Sequence, residues 1–142
     1  MQEFILDKLQ LLIERKLIKG IGENGTEYTV IAQILDLPKE ILRLIQKFDF
    51  TKKNPKLIYI NTGETMISLQ DSILVTFLNL AGFDILFFVP TGYQSVENYF
   101  AEKLMEEHQI GEYKYDMQVP DLNNISTNST RPSWRRKLFR RG

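Results

Sequence analysis

Along Phe4 to Leu17 the residues Ile5, Leu9, Leu12, Ile13 and Lys16 fall at helical spacing, and Gly20, Gly22 and Gly25 then bring turn signals. The pattern predicts an amphipathic helix leading into a loop. Val30 to Leu35 and Lys39 to Phe48 are two further helical stretches separated by Asp36, Leu37 and Pro38, with Pro38 suited to the first helical position because its missing N–H costs nothing there. Leu57 to Ile60 is a short apolar run rich in β-branched and aromatic residues and bounded by turn formers. It predicts a strand buried on both faces.

Asn61 to Thr65 follow as a loop, and Ser68 with Asp71 three residues later predicts a capped helix running to Leu80 and closed at Gly82. A second buried strand is expected over Ile85 to Val89, opened by Asp84 and ended by Pro90. Thr91 with Gln94 repeats the capping pattern for a helix through Tyr99. Ala101 to His108 read as helical, and Tyr113, Tyr115, Met117 and Val119 alternate like an edge strand. The order strand, helix, strand implies a parallel βαβ unit with a right-handed crossover. The fold class expected is α/β: a small parallel, Rossmann-like sheet with flanking helices, and a disordered basic tail at the C-terminus.

Charge sharpens the last point. The chain has 142 residues with 18 basic and 18 acidic side chains, and cutting it at Pro120 leaves 12 basic and 17 acidic before the cut but 6 and 1 after it. An acidic body therefore carries a basic end. Residues from Asp121 to Thr130 are polar and of low complexity, so they cannot bury enough apolar surface to offset chain entropy. The divisions expected are residues 1–25 as helix and loop, 26–122 as the α/β domain and 123–142 as the tail. In that tail Arg135, Arg136, Lys137, Arg140 and Arg141 suit a polyanion, either nucleic acid or, with Trp134, Leu138 and Phe139 interleaved, an anionic membrane surface.

Other chemistry is bounded by what is missing. There is no cysteine and one histidine, His108, so disulfides, thiolate nucleophiles and multi-histidine metal sites are excluded. Acidic Glu3 and Asp7 fit neither a secretory signal nor a transit peptide, and cytoplasmic residence is the expectation. The apolar stretch Ile73 to Val89 is interrupted by Asn79, Gly82 and Asp84, which argues against a membrane span.

In open parallel sheets ligands bind beyond the carboxyl ends of the strands. Those positions hold Asn61, Thr62, Gly63 and Glu64 after the first strand and Thr91, Gly92 and Tyr93 after the second. Both loops combine hydroxyls, a glycine and a helix start, an arrangement suited to phosphate or carboxylate. Neither has a phosphate-loop or dinucleotide fingerprint. Thr91 serves equally as a simple cap, and Asp71 as a charge favourable to a helix N-terminus. Glu64 and Asp71 are also candidate acid–base or magnesium-holding groups. No metal site and no cofactor is assigned, and whether the chain is an enzyme is left open. The helical pair over 30–48 resembles a helix-turn-helix in spacing, with Lys39, Arg43 and Lys47 on one face, but Ile41, Leu42, Leu44 and Ile45 make an ordinary helical hairpin the better reading. Asp84 is expected at the end of its strand away from the site, and His108 at the surface.

The phrases FDFTKKNPKLIYINTGE, SLQDSILVTFLNLAGFDILFFVPTGYQSVENYF and EEHQIGEYKYDMQVPDL resemble the C-terminal region of the YceG-like family. FVPTGY, from Phe88 to Tyr93, is the most distinctive element. The resemblance implies a component of a bacterial biosynthetic module in tellurite-resistance and general stress operons, whose members are several times longer than this chain. The resemblance assigns no catalytic residue, and the basic tail departs from its pattern. Two strands make a very small sheet, so self-association or a partner chain supplying the missing part of the domain is expected.

Overall fold

The computed structural model describes residues 1–49, 51–62, 67–93 and 96–118. Among these, the chain is a mixed helix and strand structure of four helices and two strands in the order α1 (Gln2–Glu14), α2 (Thr26–Leu35), α3 (Lys39–Lys47), β1 (Lys56–Ile60), α4 (Leu69–Leu80) and β2 (Asp84–Phe88). β1 and β2 pair in parallel, with Lys56 opposite Asp84, Ile58 opposite Leu86 and Ile60 opposite Phe88. The expected strand, helix, strand unit is present.

Helix α4 begins where local chemistry places it. Ser68 Oγ accepts the backbone N–H of Asp71 at 3.0 Å and donates to Asp71 Oδ2 at 2.7 Å, which satisfies one of the orphan donors of the first turn. The helix ends at Ala81; Gly82, at φ +99°, donates its N–H to the Asn79 carbonyl, and Phe83 donates to the Leu78 carbonyl. That reversal needs the left-handed conformation glycine supplies cheaply.

Between those ends α4 is the central element. Ile73, Val75, Phe77 and Leu78 are buried, and so are Ser72 and Thr76. The two hydroxyls tolerate burial because each donates to the carbonyl one turn back: Ser72 to Ser68 at 2.9 Å and Thr76 to Ser72 at 2.8 Å. A helix apolar nearly all round must be covered on several sides. Here α1 and α2 pack on it, and it packs in turn against β2. Leu9 and Leu12 of α1, Val30 and Ile34 of α2, Ile45 of α3, and Ile73, Phe77 and Leu78 of α4 form one core with Phe83, Val96 and Phe100.

The strands depart from expectation. Both alternate between exposed and half-buried positions rather than being buried throughout. Leu57, Ile85 and Phe87 pack against the core, and the half-buried Tyr59 stacks its ring on that of Phe87 at 4.9 Å. Ile58, Ile60, Leu86 and Phe88 point the other way and remain 45 to 56% exposed. A continuous apolar run says that a strand has apolar faces. It does not say how many are covered by the described chain.

The sequence also predicted regular structure after β2 that does not form. Val96 to Tyr99 are turns, Ala101 to His108 are not helical, and Tyr113, Tyr115 and Met117 are not in a strand. Ala101 to His108 offers only Leu104 and Met105 as large apolar residues, too little to anchor a segment below the length at which helices are marginal. Tyr113 to Met117 keeps its alternation without a ladder: Lys114 donates to the Pro90 carbonyl at 2.9 Å, a lone bond rather than a strand pairing. Other ends shift by a residue or a few, with α2 starting at Thr26 and Pro38 capping α3 from outside it. An isolated antiparallel bridge joins Ile18 to Phe100. The edge-strand position Val119 and the whole tail lie outside the described residues.

Candidate functional site

The loops at the carboxyl ends of β1 and β2 converge because the strands are parallel and in register. The ladder runs one step past β1, where Asn61 donates its N–H to the Phe88 carbonyl at 2.9 Å. Asn61 and Thr62 are half-buried there. Across from them the chain leaves β2 through Val89 and Pro90 and turns, Gly92 donating its N–H to the Val89 carbonyl at 3.0 Å. Gly63 and Glu64 lie outside the described residues.

Gly92 has φ +70°, a region costly for a residue with a side chain. A Cβ at this position would also collide with the Tyr113 ring. Within this chain it is the Tyr113 ring that approaches Gly92 closely. Because the Gly92 N–H already serves the turn, it is not among the donors left for an anion.

Thr91 is different. It is only 6% exposed, and its Oγ1 is buried without a hydrogen-bond partner among the described residues. Burying an unpaired hydroxyl costs about 1 to 3 kcal/mol, so an orphan of this kind calls for an explanation. A cap would supply a backbone N–H as its partner, and none is made among the described residues; Gln94, the other half of the expected capping box, lies outside them. Tyr93, 43% exposed, and Tyr113, 52% exposed, present aromatic surface on the same loop cluster.

Electrostatics separate the two loops. Asp71 occupies the first turn of α4, and its charge, after burial as the larger cause, contributes to pushing the Tyr59 hydroxyl above its ordinary pKa. The N-terminus of α4 thus already holds an anionic side chain, capped by Ser68. A second anion on that axis would meet repulsion, whereas the Thr91 side carries no such carboxylate among the described residues of its loop.

Opposite, at the amino ends of the strands, Lys56 Nζ meets Asp84 Oδ2 at 2.8 Å and Asn54 donates to Asp84 Oδ1 at 3.3 Å. These bonds, Lys56 first, hold the Asp84 carboxyl below the usual range. Asp84 lies on the side away from the loops, as its position in the sequence implied. His108 is exposed, 3.6 Å from Glu106. Lys39, Arg43 and Lys47 of α3 are exposed as well. No group of three or more His, Asp or Glu side chains able to hold a metal occurs among the described residues. An open apolar groove lined by Leu6, Leu9, Ile13, Ile31 and Leu35 runs between α1 and α2 and includes none of the strand-end residues. The basic cluster Arg135, Arg136, Lys137, Arg140 and Arg141 falls outside the described residues. No helix among the described residues is long and apolar enough to cross a membrane.

The model of the YceG domain matches residues 1–130. The chain belongs to the YceG family. Among curated proteins it is similar to "Uncharacterized protein YceG" of Bacillus subtilis (strain 168), 31% identical over 93 residues. That alignment takes in 63% of this chain but 17% of the relative, so the chain spans well under two thirds of the length of the curated YceG protein it matches. No solved structure matches the chain significantly. The family match includes α1 together with the βαβ unit, in keeping with the single core to which both contribute.

Proposed function

We propose that this YceG-family chain binds a phosphorylated or nucleotide-like small molecule at the carboxyl ends of β1 and β2, with Asn61, Thr62, Gly63, Glu64, Thr91, Gly92 and Tyr93 around the ligand. The observation that carries the reading is the buried Thr91 hydroxyl without a partner among the described residues. A phosphoryl oxygen accepting from it would remove the cost of the unpaired group. Tyr93 and Tyr113 nearby offer flat surfaces of the kind a base or sugar packs on. Because Asp71 already neutralises the start of α4, the β2 side is the better seat for the anion.

The sheet is then read as a Rossmann-like fragment, with residues 26–122 as the ligand-binding domain, 1–25 as its helical lead and 123–142 as a basic appendage. The wider role follows from the sequence resemblance: a cytoplasmic component of a bacterial biosynthetic module tied to stress and tellurite resistance. The reading leaves open whether a reaction is catalysed. An interaction role for the tail, on nucleic acid or an anionic membrane, is the reading from another class.

Native mass spectrometry of the chain purified from its own host tests the proposal. A retained small molecule is expected on the parent and on a form lacking residues 123–142, and Thr91→Val is expected to lose it. Retention by Thr91→Val would move the site elsewhere. Loss on removing the tail alone would favour the tail reading.

A further inference from the structure

Parallel strands are normally covered on both faces, because the connections that make them parallel lay helices against the sheet. In this chain α4 lies against one face, and α1 and α2 pack on α4, so the described helices in contact with that stack all lie on one side. The other face carries two apolar rungs, Ile58 beside Leu86 and Ile60 beside Phe88, and begins with the Lys56–Asp84 ion pair. The four apolar residues are 56, 50, 45 and 49% exposed in that order. A soluble chain seldom leaves a contiguous apolar strip of this kind without a use for it.

The dimensions of the strip say what fits. Two strands about 4.8 Å apart make a surface about 10 Å wide, which is the width of one α-helix, about 10 to 12 Å with its side chains. Four half-exposed side chains present on the order of 400 Å², about half of the ~800 Å² that each partner of a stable two-protein interface buries. A second copy of the chain docked on this strip alone would be under-anchored, whereas a single helix would cover it. The polar pair at the strip's amino end supplies a rim beside the apolar centre, the usual arrangement of an interface.

The comparison with relatives supplies a source. More than four fifths of the Bacillus subtilis YceG protein lies outside the stretch aligned with this chain. We propose that the face formed by Ile58, Ile60, Leu86 and Phe88 is an interface for one amphipathic helix, supplied by YceG-type sequence outside these 142 residues and packed opposite α4. With that helix in place the two strands have a helix on each face. The proposal does not depend on what binds at the strand ends.

Site-specific photocrosslinking in the native host tests it, with benzoylphenylalanine placed at Phe88 and, as a control on α1 outside the apolar groove, at the exposed Asp7. The expected result is a crosslink from position 88, not from position 7, to a YceG-type peptide whose apolar residues recur at helical spacing. Adding Leu86→Lys should reduce that crosslink at least tenfold while leaving the far-ultraviolet spectrum and thermal midpoint unchanged, since Leu86 faces away from the core. Crosslinks from position 88 to residues 119–142, to a second copy of this chain, to an unrelated protein or to nothing would each overturn the proposal. A Leu86→Lys chain that crosslinks as well as the parent would do the same.

Discussion

The amino ends of β1 and β2 carry Lys56 and Asp84 in direct register, 2.8 Å apart and exposed, with Asn54 donating to the second carboxylate oxygen. The carboxyl ends lead to Thr91, buried, with a hydroxyl that no described residue satisfies, and to a glycine held in a left-handed turn under a tyrosine ring. Both ends belong to the same five-residue strands, yet their polar groups are treated in opposite ways. At the solvated end, charge is paired where pairing contributes little because water and salt screen it. At the carboxyl end, a buried hydroxyl has no partner among the described residues, where that is costly. Stability alone would favour a valine at position 91, and the contrast makes the carboxyl end the place to test for a role beyond folding.

The largest effect that can probe this contrast is expected at Gly92. Gly92→Val forces a β-branched residue to φ +70° and drives its side chain into Tyr113, a loss of about 3 kcal/mol by the usual cost of such strain. Urea unfolding measures it, and an unchanged midpoint would mean that the turn is not held as described. Thr91→Val should act in the opposite direction. Replacing an unpaired buried hydroxyl with a methyl group of the same shape is expected to stabilise the free chain by about 1 to 2 kcal/mol, seen as a raised thermal midpoint, and to lose the host ligand at the same time. Stabilisation without loss of ligand would separate the orphan hydroxyl from binding.

Ser68→Ala removes the cap of α4 and should cost about 1 kcal/mol in the same urea measurement. If Ser68 also served a ligand, the loss would grow when ligand is present, whereas a pure cap gives the same value in both conditions. The smallest effect is expected at the amino end. The Asp84 carboxyl is held below its ordinary value by Lys56 and then Asn54, so its contribution is complete above the unfolded value of about 3.9 and disappears as the pH falls through the folded one. Asp84→Asn should therefore be slightly less stable than the parent at neutral pH and match it in strong acid. Unfolding curves at both extremes, repeated at high salt, check the sign.

How much of this was legible in the residues depended on how local the cause was. Ser68 and Asp71 announce the start of α4, and Gly82 its end, because a cap and a reversal are decided within a few positions. The runs at Leu57 and Ile85 announced strands, and their parallel pairing followed from the helix between them. That Ile58 and Leu86 face outward was not legible, since it depends on what packs against a face rather than on the strand itself. The stretches from Ala101 to His108 and from Tyr113 to Met117 misled for a related reason. Among the described residues no strand or helix pairs along them to complete their patterns, so the chain keeps single bonds such as that from Lys114 to Pro90. At the candidate site the sequence put both loops after the strands, but the burial of the Thr91 hydroxyl and the contact of Gly92 with Tyr113 emerged only from proximity across the fold.

The bridge between Ile18 and Phe100 is flanked by hydrogen bonds from Lys19 to Tyr99 and from Ala101 to Leu17, both 2.9 Å. These bonds clasp two points about 80 residues apart and so close a ring that contains α2, α3, both strands and α4. Closing a long ring carries an entropy cost that grows as the logarithm of its length, and nothing offsets it until the interior elements have already drawn the two points together. The clasp therefore belongs to the end of folding rather than its beginning. Its two backbone bonds tie the segment that follows α1 to the turn at Phe100, so the seam adds a backbone fastening to a core that α1 already joins through Leu9 and Leu12.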